Sequence, residues 1–491
     1  MFKAFAGYYS DGYKIGHPAM LAPGTTRLYG TWIPRSLKHA PKGVRKILSA
    51  GHQLAVRWLH DEWTENFFNL PIDQAQIFAK DMSMYLGMEY NAQHFYDLHK
   101  LGYLPMRIKA LPEGIETDPN IPHQTFINTV DGFGWLTLFN ETIISSLSWK
   151  PATSATIALQ YRRKATEWVM KTDPANAWLI PFMCHDFSAR GLSPWDMLAS
   201  GLGHAMSFRG SDTLVVIPAA RYFYNEPMNE VCINSVNASE HSVSTTKIFT
   251  VGEQQMIADW LQIFPKGILS IVSDTFDLWK LITEYLPANK EAIMARDGKL
   301  VIRPDSGDPV DIICGTIDPI HYLTDKDEFD EFFSYIEERE NEILCWKEKY
   351  YGVVGVDEFI REYGSESLYD SLSVKNFHEL INGHRIGILH PIEKPVIGSI
   401  NERKGVIELL WDIFGGTINE QGYKVLDPHI GAIYGDSITL DRQEQIYERL
   451  AAKGFASTNI VLGVGSFTYQ YNTRDTFGFL KQNMIASPAI A

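Results

Sequence analysis

From residue 151 to 475 the chain repeats one unit: a short apolar run, a cluster of Gly, Asp, Arg or His, then a stretch of helical spacing. Strands alternating with helices dictate a parallel sheet with helices packed against it. The predicted strands are Trp178–Met183, Thr213–Ile217, Val231–Ile233, Ile268–Val272, Leu300–Arg303, Ile430–Tyr434 and Asn459–Leu462. Helices are predicted over 153–172, 253–264, 276–286 and 441–453. A doubly wound sheet gathers its ligand residues at one crossover. Here nearly every strand ends in such residues, which fits a closed α/β barrel with its chemistry at the C-terminal mouth.

The densest cluster is Ile302-Arg303-Pro304-Asp305-Ser306-Gly307-Asp308-Pro309. Arg binds phosphate in a fork and Asp accepts from paired hydroxyls, so Arg303 and Asp305 suit a sugar phosphate. After the last strand, Gly463-Val464-Gly465-Ser466 matches a barrel phosphate site, where bare backbone N–H groups approach an anion. Residues 1–150 read as a separate α+β domain, with strands at 26–33 and 106–110 and a helix within 43–70. Residues 318–424 break the alternation and read as an insertion, with an acidic helical stretch over 325–342, a helix near 356–363 and another over 405–414.

The net charge of −15 argues against a broad nucleic-acid or anionic-membrane surface. It leaves room for an anionic small molecule held by a few Arg and a bound cation. Cys184, Cys232, Cys314 and Cys345 form no CxxC pair, so neither a zinc site nor a disulfide framework is indicated. No signal peptide and no apolar run of membrane-spanning length is present, and a reduced, cytoplasmic protein is expected.

Taken together, Asp11-Gly12-Tyr13-Lys14, His185 to Gly191, Gly210 to Thr213, Ala238 to Ser242, Ser273 to Asp277, the 302–309 stretch, Gly435-Asp436-Ser437 and Gly463 to Asp475 resemble the nicotinamide phosphoribosyltransferases of bacteria and their phages. The resemblance implies a barrel of the quinolinate-phosphoribosyltransferase-like type with an N-terminal α+β domain. It implies transfer of phosphoribosyl from phosphoribosyl pyrophosphate to nicotinamide, with Mg²⁺, giving the mononucleotide and pyrophosphate. It also implies a homodimer with a shared site and stimulation by ATP.

By the same resemblance, Phe187 and a second subunit's Tyr13 sandwich the pyridine ring, with Asp11 nearby. Asp212 reads the carboxamide, and Ser270 belongs to the substrate site. Arg190, Gly435, Asp436, Gly465, Ser466 and Arg474 line the ribose and phosphate pocket, which Arg35 reaches from the partner. Asp274 and Asp277 lie on the Mg²⁺ side. His241 becomes phosphorylated, oriented by Glu240. Residues 151–475 are then the catalytic barrel and 476–491 an atypical tail in which no family feature is recognised. That tail keeps an inactive nicotinamide-binding homologue open beside nicotinate phosphoribosyltransferase.

Overall fold

In a computed structural model the described residues are 4–316, 320–325, 327–328, 331, 342–346, 349–355, 387–392, 398–435 and 438–486. The chain divides into two compact units, Met1–Pro309 with Leu410–Ala491, and Val310–Leu409.

In the first unit, β1 (Arg27–Ile33), β2 (Met106–Ala110) and β3 (Gln124–Asn128) form an antiparallel sheet around an aromatic core. Phe5, Trp32, Trp63, Phe67, Phe78, Phe95, Phe126 and Trp135 are all buried in it. Rings of this size bury 150–250 Å² each, which explains why so many sit in a small domain. A further strand, Leu480–Ala486, pairs antiparallel with β1, from Ile33 opposite Leu480 to Arg27 opposite Ala486. The expected atypical tail is thus corrected up to residue 486: it returns to the first domain as a strand. Phe479 anchors that return, stacked on Trp32 with ring centroids 4.3 Å apart.

The long helix Glu141–Thr172 runs through residue 150, so a single element serves both the aromatic domain and the barrel. Pro151 lies inside it. Gly51 makes room for that proline: at φ 80° it lies where an added Cβ would stand 2.3 Å from Pro151 Cγ.

The barrel is built from β4 (Cys184–Asp186), β5 (Gly210–Ser211), β6 (Asn237–Ala238), β7 (Lys266–Val272), β8 (Asp297–Arg303), β9 (Ile430–Tyr434) and β10 (Ile460–Val464). The spatial order is β5-β4-β10-β9-β8-β7-β6, parallel throughout. Its two edges are joined by one segment: Asn234 bridges Gly210 of β5, while Asn237 and Ala238 pair with Leu269 and Ser270 of β7. The expected α/β barrel is therefore present.

Three strands are displaced from their predicted positions. Residues 174–182 form a 3₁₀ helix, with Pro174 and Pro181 fixing φ, and the strand begins only at Cys184. The apolar run at 213–217 turns into helix Val216–Tyr224, because Asp186 Oδ2 takes the Thr213 hydroxyl at 2.7 Å. The pairing expected at 231–233 falls at 234–238. A helix not anticipated from the spacing, His241–Val251, follows β6.

The second unit holds a four-stranded sheet of Ile320–Leu323, Ile343–Trp346, Lys349–Gly355 and Gly387–Ile392. Most of the acidic 325–342 stretch and the helix near 356–363 lie outside the described residues. The hairpin Gly416–Ile418 with Lys424–Leu426, placed in the insertion by sequence, belongs to the first unit. Among the described residues no helix is long and apolar enough to cross a membrane.

Two histidines inside the first domain tie its stability to pH. His52 Nε2 meets Ser49 Oγ and His52 Nδ1 meets Gln124 Nε2, both at 2.7 Å; His123 Nε2 meets Thr117 Oγ1 at 2.7 Å. Burial pushes His52 down to about 4 and His123 down to about 3. Both stay neutral in the fold while the unfolded chain takes up protons near pH 6.5, so their contribution is complete above that pH and is lost as pH falls towards 4. Urea unfolding should show a loss of about 2 kcal/mol per histidine between pH 7 and 5. The double variant His52→Gln, His123→Gln should flatten that slope; an equal slope in the variant would refute the assignment.

Candidate active site

The alternation of β4 decides which way its mouth faces. Successive strand side chains point to opposite faces. His185 and Phe187 therefore share one face, with ring centroids 4.6 Å apart, and Asp186 points away into the wall. Asp186 is fully buried and accepts from Ser188 N (2.9 Å), Thr213 Oγ1 (2.7 Å) and Ser211 Oγ (3.2 Å). It thereby fixes β4, the loop after it and the turn that carries Asp212.

His185 and Phe187 open onto a cavity of about 680 Å³ inside the barrel, lined also by Asp212, Ser235, Ser270 and Arg303. On β8 the inward side chains are Lys299, Val301 and Arg303, two residues apart, as a strand requires. Arg303 Nε is buried with no hydrogen-bond partner among the described residues. A buried guanidinium nitrogen left unpaired is costly, so a ligand acceptor would stabilise it.

Asp212 is held by two donors on a single oxygen. His185 Nε2 lies 2.9 Å from Asp212 Oδ1, and the Ser235 hydroxyl donates to the same atom. Burial acts to raise the Asp212 pKa, but the His185 and Ser235 hydrogen bonds and the Arg303 charge outweigh it and hold the carboxyl below its ordinary range. Asp212 is therefore an anion at neutral pH. No hydrogen bond to its Oδ2 is found among the described residues, and that oxygen is open to a ligand N–H.

Close backbone approach completes the mouth. A Cβ on Gly463 would stand 2.6 Å from Gly435 Cα and 2.8 Å from Phe187 Cδ2. A Cβ on Gly435 would stand 3.3 Å from Asp305 Oδ1 and 3.6 Å from Phe187 Cε2. Phe187, Gly435, Gly463 and Asp305 thus meet at one point. Ser466 packs against Gly191, next to Arg190, and the space beside Gly465 is open.

On the far side of Asp305, Asp274 Oδ2 accepts from Asp305 N at 2.8 Å and Ser306 Oγ at 2.6 Å. Asp274 Oδ1 faces His241 Nε2 at 3.3 Å. Burial would raise Asp274, yet the Ser306 and Asp305 hydrogen bonds and the nearby His241 keep it low. His241 thus meets Asp274 here, while the carboxylate of Glu240, expected to orient it, accepts the Ser242 hydroxyl. Asp277 caps the following helix through Lys280 N at 3.0 Å. Among the described residues no three His, Cys, Asp or Glu converge as metal ligands.

The other expected site residues have these contacts within the chain. Asp11 Oδ2 accepts from Thr142 Oγ1 at 2.5 Å, and Tyr13 is 68% exposed beside His17. Arg35 Nε donates to Gly478 O at 3.1 Å, on the same turn as Arg474, which pairs with Asp475 at 3.4 Å. Asp436 lies outside the described residues. Sequence reasoning left out His185 and Ser235 as contacts of Asp212. His185 was detectable from its i, i+2 relation to Phe187; nothing local marks Ser235.

The nicotinate phosphoribosyltransferase (NAPRTase) family profile matches residues 182–381 and 390–486. The nicotinamide phosphoribosyltransferase of Acinetobacter baylyi is 36% identical over 489 residues, covering 96% of this chain and 80% of that protein. The nicotinamide phosphoribosyltransferase of Mycoplasma genitalium is 26% identical, covering 96% of this chain and 87% of that protein. The crystal structure of human nicotinic acid phosphoribosyltransferase superposes with a TM-score of 0.51 at 13% identity, over 97% of this chain and 74% of that one, a likeness of fold.

Because Gly463 leaves no space for a methyl group, Gly463→Ala should force Phe187 out of position. Overpacking of this kind costs about 1–3 kcal/mol, so affinity for a pyridine amide should fall about tenfold or more. Calorimetric titration with nicotinamide checks it; unchanged affinity would show that the ring has another seat.

Proposed function

This chain belongs to the nicotinate phosphoribosyltransferase family, and on that premise we propose that it transfers phosphoribosyl from phosphoribosyl pyrophosphate to nicotinamide, forming nicotinamide mononucleotide for NAD salvage. The observation that carries the reading is Asp212, an ionised carboxylate with one oxygen taken by His185 and Ser235. The other oxygen suits the carboxamide NH₂ of a ring lying against Phe187. A nicotinate carboxylate would face like charge there, and specificity of this kind arises from repulsion as much as attraction.

Attack by the pyridine nitrogen on the anomeric carbon needs no protein nucleophile. Catalysis then rests on holding the two reactants in line and stabilising charge on the sugar as the pyrophosphate departs. Arg303 and Asp305 are assigned to the ribose and its charged substituents. Ser270 borders the ring from the barrel wall. Gly435, Gly465, Ser466 and Arg190 are assigned to the phosphoribosyl group, and the bare backbone at Gly465 leaves space for phosphate oxygens. Asp11, Tyr13 and Arg35 are assigned to the site of a second copy in a homodimer, a role that the exposure of Tyr13 allows. Arg474 shares the Arg35 turn.

Mg²⁺, when bound, would neutralise the leaving pyrophosphate. Asp274 and Asp277 do not fit a dedicated metal cage, since their oxygens serve Asp305, Ser306, His241 and the helix cap. Magnesium more often arrives on substrate phosphates with waters and at most one or two carboxylates.

His241 is half-exposed, with Nε2 on Asp274 and Nδ1 free of any partner among the described residues. In our reading Nδ1 attacks the ATP γ-phosphate, ADP leaves, and the phosphohistidine couples hydrolysis to transfer. The buried thiols Cys184, Cys314 and Cys345 suit a reducing cytoplasm.

The test is product formation, read by mass, from protein, Mg²⁺, phosphoribosyl pyrophosphate and either pyridine, with and without ATP. Nicotinamide mononucleotide is expected; nicotinate mononucleotide alone would overturn the Asp212 argument. Asp212→Ser should raise the nicotinate-to-nicotinamide ratio of kcat/KM by about tenfold or more. An unchanged ratio would remove Asp212 as the selector. His241→Ala should keep basal transfer and lose ATP stimulation; stimulation that persists would exclude the phosphohistidine.

A further inference from the structure

Behind the mouth, a set of fully buried polar side chains links the phosphate loop, the loop after β9 and the strand that carries Asp212. Tyr161, on the long helix, donates its hydroxyl to Ile438 O at 2.9 Å and lies 3.3 Å from Thr468 Oγ1. Ile438 follows the Gly435 loop; Thr468 follows Gly465-Ser466. About three turns earlier on the same helix, and so on the same face, Lys150 donates its ammonium to the backbone carbonyl of Tyr469. Tyr469 in turn places its hydroxyl 2.8 Å from His204 Nδ1, and His204 Nε2 lies 3.1 Å from Gly210 O. The Gly210 carbonyl only accepts, so His204 carries its proton on Nε2 and Tyr469 donates to Nδ1. Gly210 is two residues before Asp212.

Lys150, Tyr161, His204 and Tyr469 are each 2% exposed or less. For stability alone this is a poor choice. A methionine would fill the Lys150 channel without burying an ammonium, and phenylalanines would fill both tyrosine sites. What the polar atoms add is direction. Their bonds run to the Gly465–Tyr469 segment, the loop that follows Gly435, and the strand end before Asp212. Each of these carries a residue assigned to the substrates.

We propose that Tyr161 and Lys150 on the long helix, with His204 and Tyr469, are positioning residues that hold the phosphoribosyl-binding loops at a fixed separation from the carboxamide-reading Asp212. The inference rests on the phosphoribosyl-transfer reading, because it takes Gly435, Gly465 and Ser466 as the sugar-phosphate side. The link matters for the chemistry since the reaction needs the pyridine nitrogen and the anomeric carbon in line, and a displacement of about 1 Å can cost about 100-fold in rate.

The test uses Tyr161→Phe and Tyr469→Phe, which keep the rings and remove one hydroxyl each. Calorimetry reads the Kd of phosphoribosyl pyrophosphate, and steady-state kinetics read the KM of each substrate. Losing one buried hydrogen bond to a loop should raise the Kd and KM for phosphoribosyl pyrophosphate about fivefold in each variant, with the KM for nicotinamide changed less than about twofold. Lys150→Met should behave alike. If the wild type binds and turns over phosphoribosyl pyrophosphate but both tyrosine variants keep its Kd and KM, the positioning role is wrong and the transfer reading stands, whatever happens to Tm. If the wild type neither binds nor uses phosphoribosyl pyrophosphate, the transfer reading fails and this inference falls with it.

Discussion

One buried carboxylate organises the mouth of the barrel. Asp186 points into the wall where its neighbours His185 and Phe187 point into the cavity, and three donors from two different strand ends converge on it. An isolated buried carboxylate would be costly, and it persists here only because it is fully hydrogen-bonded. The consequence is geometric. Ser188 N belongs to the loop that starts the phosphate side, while Ser211 and Thr213 flank Asp212. A single carboxyl side chain therefore sets where Phe187, Asp212 and the Arg190 loop stand relative to each other. Removing it would leave three donors unsatisfied and free two loops at once, which differs in kind from losing a surface ion pair.

The second constraint is steric. Phe187 sits where two strands approach without side chains, at Gly435 and Gly463. A stacking ring needs a hard surface behind it, and backbone atoms supply one that no rotamer change can soften. The same absence of side chains leaves Gly465 open beside Ser466. The glycines at the ends of β9 and β10 thus act differently: those at 435 and 463 bring backbone against the Phe187 ring, and that at 465 leaves open space.

Much of this was legible in the sequence because it is local. The polar clusters at strand ends gave the barrel and its C-terminal mouth, and Leu300–Arg303, Ile430–Tyr434 and the run from Ile460 fell where apolar spacing put them. The errors have specific causes. Residues 178–183 are as apolar as a strand, yet Pro174 and Pro181 fold them as 3₁₀ turns. The run at 213–217 looks like a strand until Asp186 captures the Thr213 hydroxyl, a contact between residues 27 apart. No short motif was recognised after residue 476, yet the family profile runs to residue 486, and Phe479 stacking on Trp32 and the pairing of 480–486 with β1 are long-range events that no local pattern announces. In the site, Asp212 was marked by its sequence cluster and its partner Ser235 was not, because Ser235 reaches it across 23 residues from a segment with no marked pattern.

That segment joins the closure of the sheet to Asp212. Residues 234–238 are the piece that touches both edges of the curled sheet: Asn234 N donates to Arg209 O at 2.6 Å, Ser211 N donates to Asn234 O at 3.0 Å, and Asn237-Ala238 pair with β7. Ser235, in the middle of this closure, supplies one of the two bonds that occupy Asp212 Oδ1. With that bond in place Asp212 remains anionic and its second oxygen points to the ligand side. Without it His185 would have to hold the carboxylate alone, and a carboxylate that rotates or takes up a proton no longer repels an acid. On the proposed function, in which Asp212 discriminates between an amide and an acid, that discrimination is tied to whether the barrel closes.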